Sequence, residues 1–279
     1  MGLEVAAIER RIDSDLISKV SNLLTTTPAV TPMALKQAFL ATLYSNQRAL
    51  SNVDQTSLFA CLTTFGCLGL LPGSALGNGY ILPFKGNATP VIGYKGYVTL
   101  AARGARSIES GIIRSHDKYN FQQGTTPRLD VFPSLEHSDA AVIGAWSQQV
   151  VDGQRVQPLV LGIKELLAVK NKSPGGSRSE SPWNDDTIGF PAMCQKTAVR
   201  RQARALPVNV FQLANSMEGH TDYGKPAWIV PSERTGQPVI QTEDGSQHGA
   251  ISPPPDDEPI PPELAKVELT LITGMRDGQ

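Results

Sequence analysis

The chain has 279 residues, 40% hydrophobic and 18% charged, enough apolar material for one large or two small globular domains and too much for a disordered chain. No apolar stretch approaches the roughly 20 residues that cross a bilayer, and no apolar core follows a basic start at the N-terminus, so a soluble cytoplasmic protein without a membrane partner is expected. The net charge of −1 hides an asymmetry: residues 1–84 balance, residues 85–206 carry 16 Lys/Arg against 10 Asp/Glu, and residues 231–279 carry 3 against 9, a pattern that points to a polyanion-binding middle and an acidic tail.

In chain order, residues 8–24 place Ile8, Ile12, Leu16, Val20 and Leu23 at helical spacing until the threonines before Pro28 break the pattern. Pro32 starts a second helix with Met33, Leu35, Phe39, Leu43 and Leu50 as its apolar positions. Asp54 suits the cap of a third, which runs to Leu68 and stops at Gly69. The period then changes. Residues 79–84 and 89–94 read as strands joined around Lys85-Gly86-Asn87, and a short helix follows over 95–103. Residues 108–115, 140–151 and 155–162 read as further strands, the last two joined at Asp152-Gly153, which makes one antiparallel sheet the economical arrangement.

A short helix is expected over 163–169, then a mobile basic loop over 171–182, then a core helix over 185–205 with Pro191 in its first turns. Residues 252–259 are proline-rich and acidic. The fold class expected is α+β: N-terminal helices, an antiparallel β-sheet core packed with a basic helix, and a disordered acidic C-terminal tail. The expected division is 1–30 as an N-terminal helix and candidate oligomer contact, 31–210 as the core, and 211–279 as linker and tail.

Three cysteines, Cys61, Cys67 and Cys194, form neither a CxxC pair nor a four-ligand set with the four histidines, so buried reduced thiols are expected and no metal site is. In the last core helix, Lys196, Arg200 and Arg204 recur every four residues with Arg201 beside them, forming one basic face. No acidic residue lies among residues 196–204 to pair with them locally, and their mutual repulsion is best explained by an external polyanion, the alternative being carboxylates elsewhere in the fold. Gly93-Tyr94-Lys95-Gly96-Tyr97 sits where a strand meets a helix, suited to holding phosphate and stacking on a base, with Arg103, Arg106, Arg114 and Lys118 adding charge nearby. No Gly-x4-Gly-Lys-Ser/Thr spacing occurs, so no ATP site is expected. His116-Asp117 suggests a metal-dependent nuclease, but neighbours on a strand face opposite ways, and His137 near Asp139 and Asp185-Asp186 read as loop and capping residues rather than metal ligands. A scaffold for an acidic protein is the remaining alternative. Trp183 reads as an anchor for the loop before it.

The order of these motifs resembles the RecT family of phage-type single-strand annealing proteins, in the Redβ-like superfamily. The resemblance rests on Leu68-Gly69-Leu70, residues 79–84, residues 91–96, Leu100-Ala101-Ala102-Arg103, Asp117 with Phe121, Ser181-Pro182-Trp183, and Met193-x-x-Lys196-Thr197-x-x-Arg200 leading to Leu206-Pro207. It spans roughly residues 30–210 and departs at Arg103-Gly104-Ala105-Arg106, where members commonly have Arg-Ser-Gly.

The resemblance implies a bacterial or phage-encoded, non-enzymatic protein that coats single-stranded DNA and pairs it into annealed duplex in recombination, without ATP and with magnesium only as an aid. It further implies a homo-oligomer, ring or helical filament, working with a 5′→3′ exonuclease and a host single-strand-binding protein. Lys196 and Arg200 match the motif's lysine and arginine and are expected at phosphates. Lys95, Tyr94, Arg103, Arg106 and Lys118 are further DNA-binding candidates, and Arg201 and Arg204 follow from helix geometry.

Overall fold

The computed structural model describes residues 4–12, 30–73, 75–103, 106–173, 176–202, 209–222, 225–232 and 237–248. It is a mixed fold of helices and antiparallel ladders, as expected. Helix α1 (Val5–Arg11) is followed by α2 (Pro32–Ser45) and α3 (Gln55–Leu68). The anticipated extension of the first helix to residue 24 falls largely outside the described residues. Thr31 caps α2 by accepting from the Ala34 N–H, and Asp54 caps α3 by accepting from the Ser57 N–H at 2.9 Å. Gly69 ends α3 at φ 58, the left-handed conformation that a glycine adopts without steric cost.

Helix α3 is apolar on most of its circumference, and a helix of that kind is buried. Leu58, Cys61, Leu62, Phe65 and Leu68 are all inaccessible, with Leu35, Phe39 and Leu43 of α2 packed alongside. Burial of each such side chain contributes roughly 1.5–3 kcal/mol, so this helix anchors the domain.

Strands β1 (Gly79–Phe84) and β2 (Asn87–Ile92) form a hairpin closed by Lys85 and Gly86, both at positive φ. That two-residue turn matches the right-handed twist of its strands, and it places Asn87 in β2 rather than in the connection. Helix α4 (Tyr94–Ala102) follows. Strands β3 (Arg106–Arg114), β6 (Val142–Val151) and β7 (Gln154–Gly162) form the second sheet in the order β3-β6-β7, with Asp152 and Gly153 making the same kind of turn.

A separate hairpin, β4 (Lys118–Gln122) with β5 (Arg128–Phe132), was not expected. Its base is tied by Asp117, whose carboxylate accepts from the Arg114 N–H at 2.7 Å and the Ser134 N–H at 2.8 Å. The antiparallel pairing is thus divided among several sheets, where a single one was anticipated.

Helix α5 (Ile163–Lys172) runs three residues beyond expectation. The following basic loop is held at its described end, since Asn184 Nδ2 donates to the carbonyls of Gly176 and Arg178, and Trp183 is buried against Phe190 as the anchor. Helix α6 (Gly189–Gln202) begins four residues later than expected because the Asp185 carboxylate caps it from outside, accepting from the N–H groups of Thr187, Ile188 and Gly189. The Thr187 hydroxyl, which also donates to it at 2.6 Å, and then those N–H groups hold the Asp185 carboxyl below its ordinary range.

The expectation that residues 211–279 are linker and tail is corrected for 211–248. Helix α7 (Asn209–Asp222) and strands β8 (Ala227–Pro231) and β9 (Pro238–Thr242) are built into the main core, and β10 (Gln247–His248) pairs with β9. Met217, Trp228, Ile229 and Ile240 are buried there, Trp228 Nε1 donates to the Ala88 carbonyl at 2.9 Å, and the Ile229 N–H donates to the Thr64 hydroxyl of α3 at 2.9 Å. Pro, Gly and acidic residues gave this stretch the composition of a linker, while alternation in Trp228–Val230 and Val239–Thr242 was short enough to miss. The expected tail from residue 249 lies outside the described residues. No helix among the described residues is long and apolar enough to cross a membrane.

Candidate nucleic-acid interface

Helix α6 packs its apolar side, Cys194, Ala198 and Val199, into the core, and the buried Ser147 hydroxyl of β6 donates to the Ala198 carbonyl at 2.9 Å. One turn apart on another side, Lys196 and Arg200 reach toward α7. There they meet Glu218, whose side chain is 4% exposed, against 14% for Lys196 and 20% for Arg200. Lys196 Nζ lies 3.1 Å from Glu218 Oε1 and Arg200 Nε lies 3.3 Å from Oε2. Two further donors converge on the same carboxylate: the Ile92 N–H at 2.7 Å and the Tyr97 hydroxyl at 2.6 Å. Burial pushes the Glu218 carboxyl up, but the charges of Lys196 and Arg200 and the hydrogen bonds of Tyr97 and Lys196 outweigh it, leaving the group below its ordinary range and ionised.

The acidic partners of the helix's cations come from elsewhere in the fold, the alternative that the sequence left open. Lys196 and Arg200 share Glu218, and Arg201 Nη1 lies 3.2 Å from Glu165 of α5. The pairing was invisible along α6 because its carboxylates come from other helices. Arg204 lies outside the described residues.

The remaining candidates separate into two groups. Lys95 is exposed on the first turn of α4 and Tyr94 beside it is half-buried. Lys118 is exposed at the start of β4, opposite Phe132. Arg103 instead serves the fold: its guanidinium donates to the carbonyls of Leu68 and Gly69, closing the C-terminus of α3. Arg106 is in β3, and its side chain is outside the described residues.

The glycines around Lys95 are required by close approach. A Cβ on Gly93 would sit 2.0 Å from the Gly77 carbonyl oxygen, and one on Gly96 would sit 2.1 Å from that of Asn78. Tyr97 is fully buried and belongs to the Glu218 network rather than to a stacking surface.

His116 and Asp117 form no acid–base pair, as the carboxylate is occupied at the hairpin base and the His116 ring stacks on His137 with centroids 4.2 Å apart. The thiols of Cys61, Cys67 and Cys194 are buried, and burial raises the last two to about 12. Glu218 is the residue that sequence reasoning missed, and Tyr97 was noted only as part of the glycine motif, not as its partner. The available signal was Leu213, Ala214 and Met217 at spacings of one, three and four, the apolar stripe of the helix that carries Glu218.

The comparisons agree with this geometry in extent. The chain is 32% identical to Protein RecT of Escherichia coli (strain K12) over 196 residues, covering 66% of this chain and 69% of that protein. It is 26% identical to the uncharacterized protein YqaK of Bacillus subtilis (strain 168) over 167 residues, 58% of this chain and 55% of the relative. The RecT family model matches residues 33–224, from the start of α2 to the end of α7, and so takes in Lys196, Arg200 and Glu218 alike: the chain belongs to the RecT family.

Proposed function

We propose that this protein binds single-stranded DNA and anneals complementary strands in recombination without hydrolysing ATP. The observation that carries the reading is the Lys196–Arg200 pair, two cations drawn together over one buried carboxylate inside the family-matched region. Family membership supports the recombination and strand-annealing role. Phosphate contacts give affinity that ignores sequence, which annealing requires, while Watson–Crick pairing supplies the specificity. Pairing is downhill, so it needs no nucleotide hydrolysis.

Lys95, with Tyr94, and Lys118 are proposed as further backbone contacts, and magnesium as an aid that screens the two strands. The working form is proposed to be a homo-oligomeric ring or helical filament, supplied with single strands by a 5′→3′ exonuclease and acting beside a host single-strand-binding protein. Met33 and Tyr44 of α2, each 56% exposed, suit a contact between protomers.

The test mixes two labelled complementary oligonucleotides with the full chain, with and without ATP and magnesium, and follows duplex formation and particle shape. Duplex at the same rate with and without ATP, with assemblies that grow on annealed product, is expected. Strand cleavage without duplex would refute the reading.

A further inference from the structure

We propose that Glu218 is a positioning residue for DNA: a buried carboxylate that ties Lys196 and Arg200 into a site for one backbone phosphate. The inference rests on the reading that this pair meets the DNA backbone. Glu218 is held from outside α6, by the Ile92 N–H at the end of β2 and the Tyr97 hydroxyl of α4. The carboxylate is therefore placed independently of the cations, and the cations are placed by it. Its two oxygens each take one cation, Oε1 the ammonium of Lys196 and Oε2 the Nε of Arg200.

Two like charges one turn apart on a bare helix repel and spread. Here they converge over one anchored anion. Their side chains are mostly buried, which removes the rotamer freedom that a surface lysine or arginine loses on meeting a ligand. The pair therefore acts as one unit on one phosphate rather than as two independent contacts.

The test is binding of a labelled oligo(dT) by the full chain across a potassium chloride series, read by fluorescence anisotropy beside thermal melting. The variants are Glu218→Gln, Glu218→Asp, Tyr97→Phe, Lys196→Ala, Arg200→Ala and the Lys196→Ala/Arg200→Ala double. Glu218→Gln is expected to weaken binding about tenfold where it is folded, Glu218→Asp to stay within about threefold of wild type, and Tyr97→Phe to lose about two- to fivefold. The double variant is expected to lower the salt slope by about 0.7, no more than either single change, because one single-strand phosphate is lost.

Tighter binding with a steeper slope in Glu218→Gln makes the carboxylate a counter-charge only and overturns the inference. A lower melting temperature with unchanged affinity of the folded protein makes it purely structural and overturns it as well. If Glu218→Gln does not fold, Tyr97→Phe decides, and unchanged affinity there overturns the proposal. Wild-type protein that fails to bind the oligonucleotide at low salt overturns the annealing reading itself. Wild-type binding with losses at Lys196 and Arg200 but none at Glu218 or Tyr97 overturns the positioning role alone.

Discussion

Replacing Lys196 with alanine should damage the fold as well as DNA binding, and the two effects separate by pH. In the wild type, the ammonium lies 3.1 Å from a carboxylate that is 4% exposed. Breaking a buried pair by removing one partner costs about 3–5 kcal/mol when the other charge is left uncompensated. Here Arg200, the Tyr97 hydroxyl and the Ile92 N–H still face Glu218, so the cost should be about 2–3 kcal/mol at neutral pH. The wild-type Glu218 carboxyl is depressed, so its stabilising contribution is present above the unfolded carboxylate pKa, about 4.3, and is lost as pH falls through the lower folded value. Without Lys196, burial is less opposed and the folded value moves up.

Glu218 in the variant then accepts a proton at a higher pH than in the wild type, and the gap in stability between the two narrows as pH falls from 7 toward 4. Urea unfolding of both proteins at several pH values, with Lys196→Ala/Glu218→Gln completing a double-mutant cycle, measures this directly. The cycle should show coupling, the double variant losing less than the two single losses added together. A Lys196→Ala protein within about 0.5 kcal/mol of wild type, or a deficit that stays constant from pH 7 to 4, would refute the argument.

Further expectations concern binding and architecture. Arg200→Ala should weaken binding to all oligonucleotide sequences about equally in competition assays, because phosphates carry no sequence; a changed sequence preference would contradict phosphate contact. Gly93→Ala should destabilise by about 3 kcal/mol or more in denaturant melts, since the new Cβ would meet the Gly77 carbonyl at 2.0 Å and backbone on both sides must shift. Removing residues 249–279, which carry 2 Lys/Arg against 6 Asp/Glu, should leave annealing intact and tighten binding at low salt, as a net −4 is lost. Removing residues 225–279 should instead collapse thermal stability, because Trp228, Ile229 and Ile240 leave the core. Equal melting temperatures for the two truncations would sink that distinction.

Much of the fold was legible because its signals are local. Asp54 three residues before Ser57, glycine after Leu68 and the Asp152-Gly153 turn act within a few residues and landed where the sequence placed them, while the turn at Lys85-Gly86 proved one residue shorter than expected. The β4–β5 hairpin carried a weaker form of the same signal, Tyr119 and Phe121 alternating opposite Val131 and Leu129, and was missed because its strands are five residues each. Residues 211–248 were misjudged because composition was weighed over pattern in a stretch rich in proline and charge.

By itself, the sequence determined the helical layer, the antiparallel strands, the family motifs and the basic character of α6. Only the tertiary structure decided what that basic character is. Glu218 is 22 residues from Lys196, Tyr97 is 121 residues from Glu218 and Ile92 is 126 away, so no window along the chain contains the site. A charge on a helix is a property of its sequence, whereas a charge compensated, oriented and desolvated by a carboxylate on another helix is a property of packing.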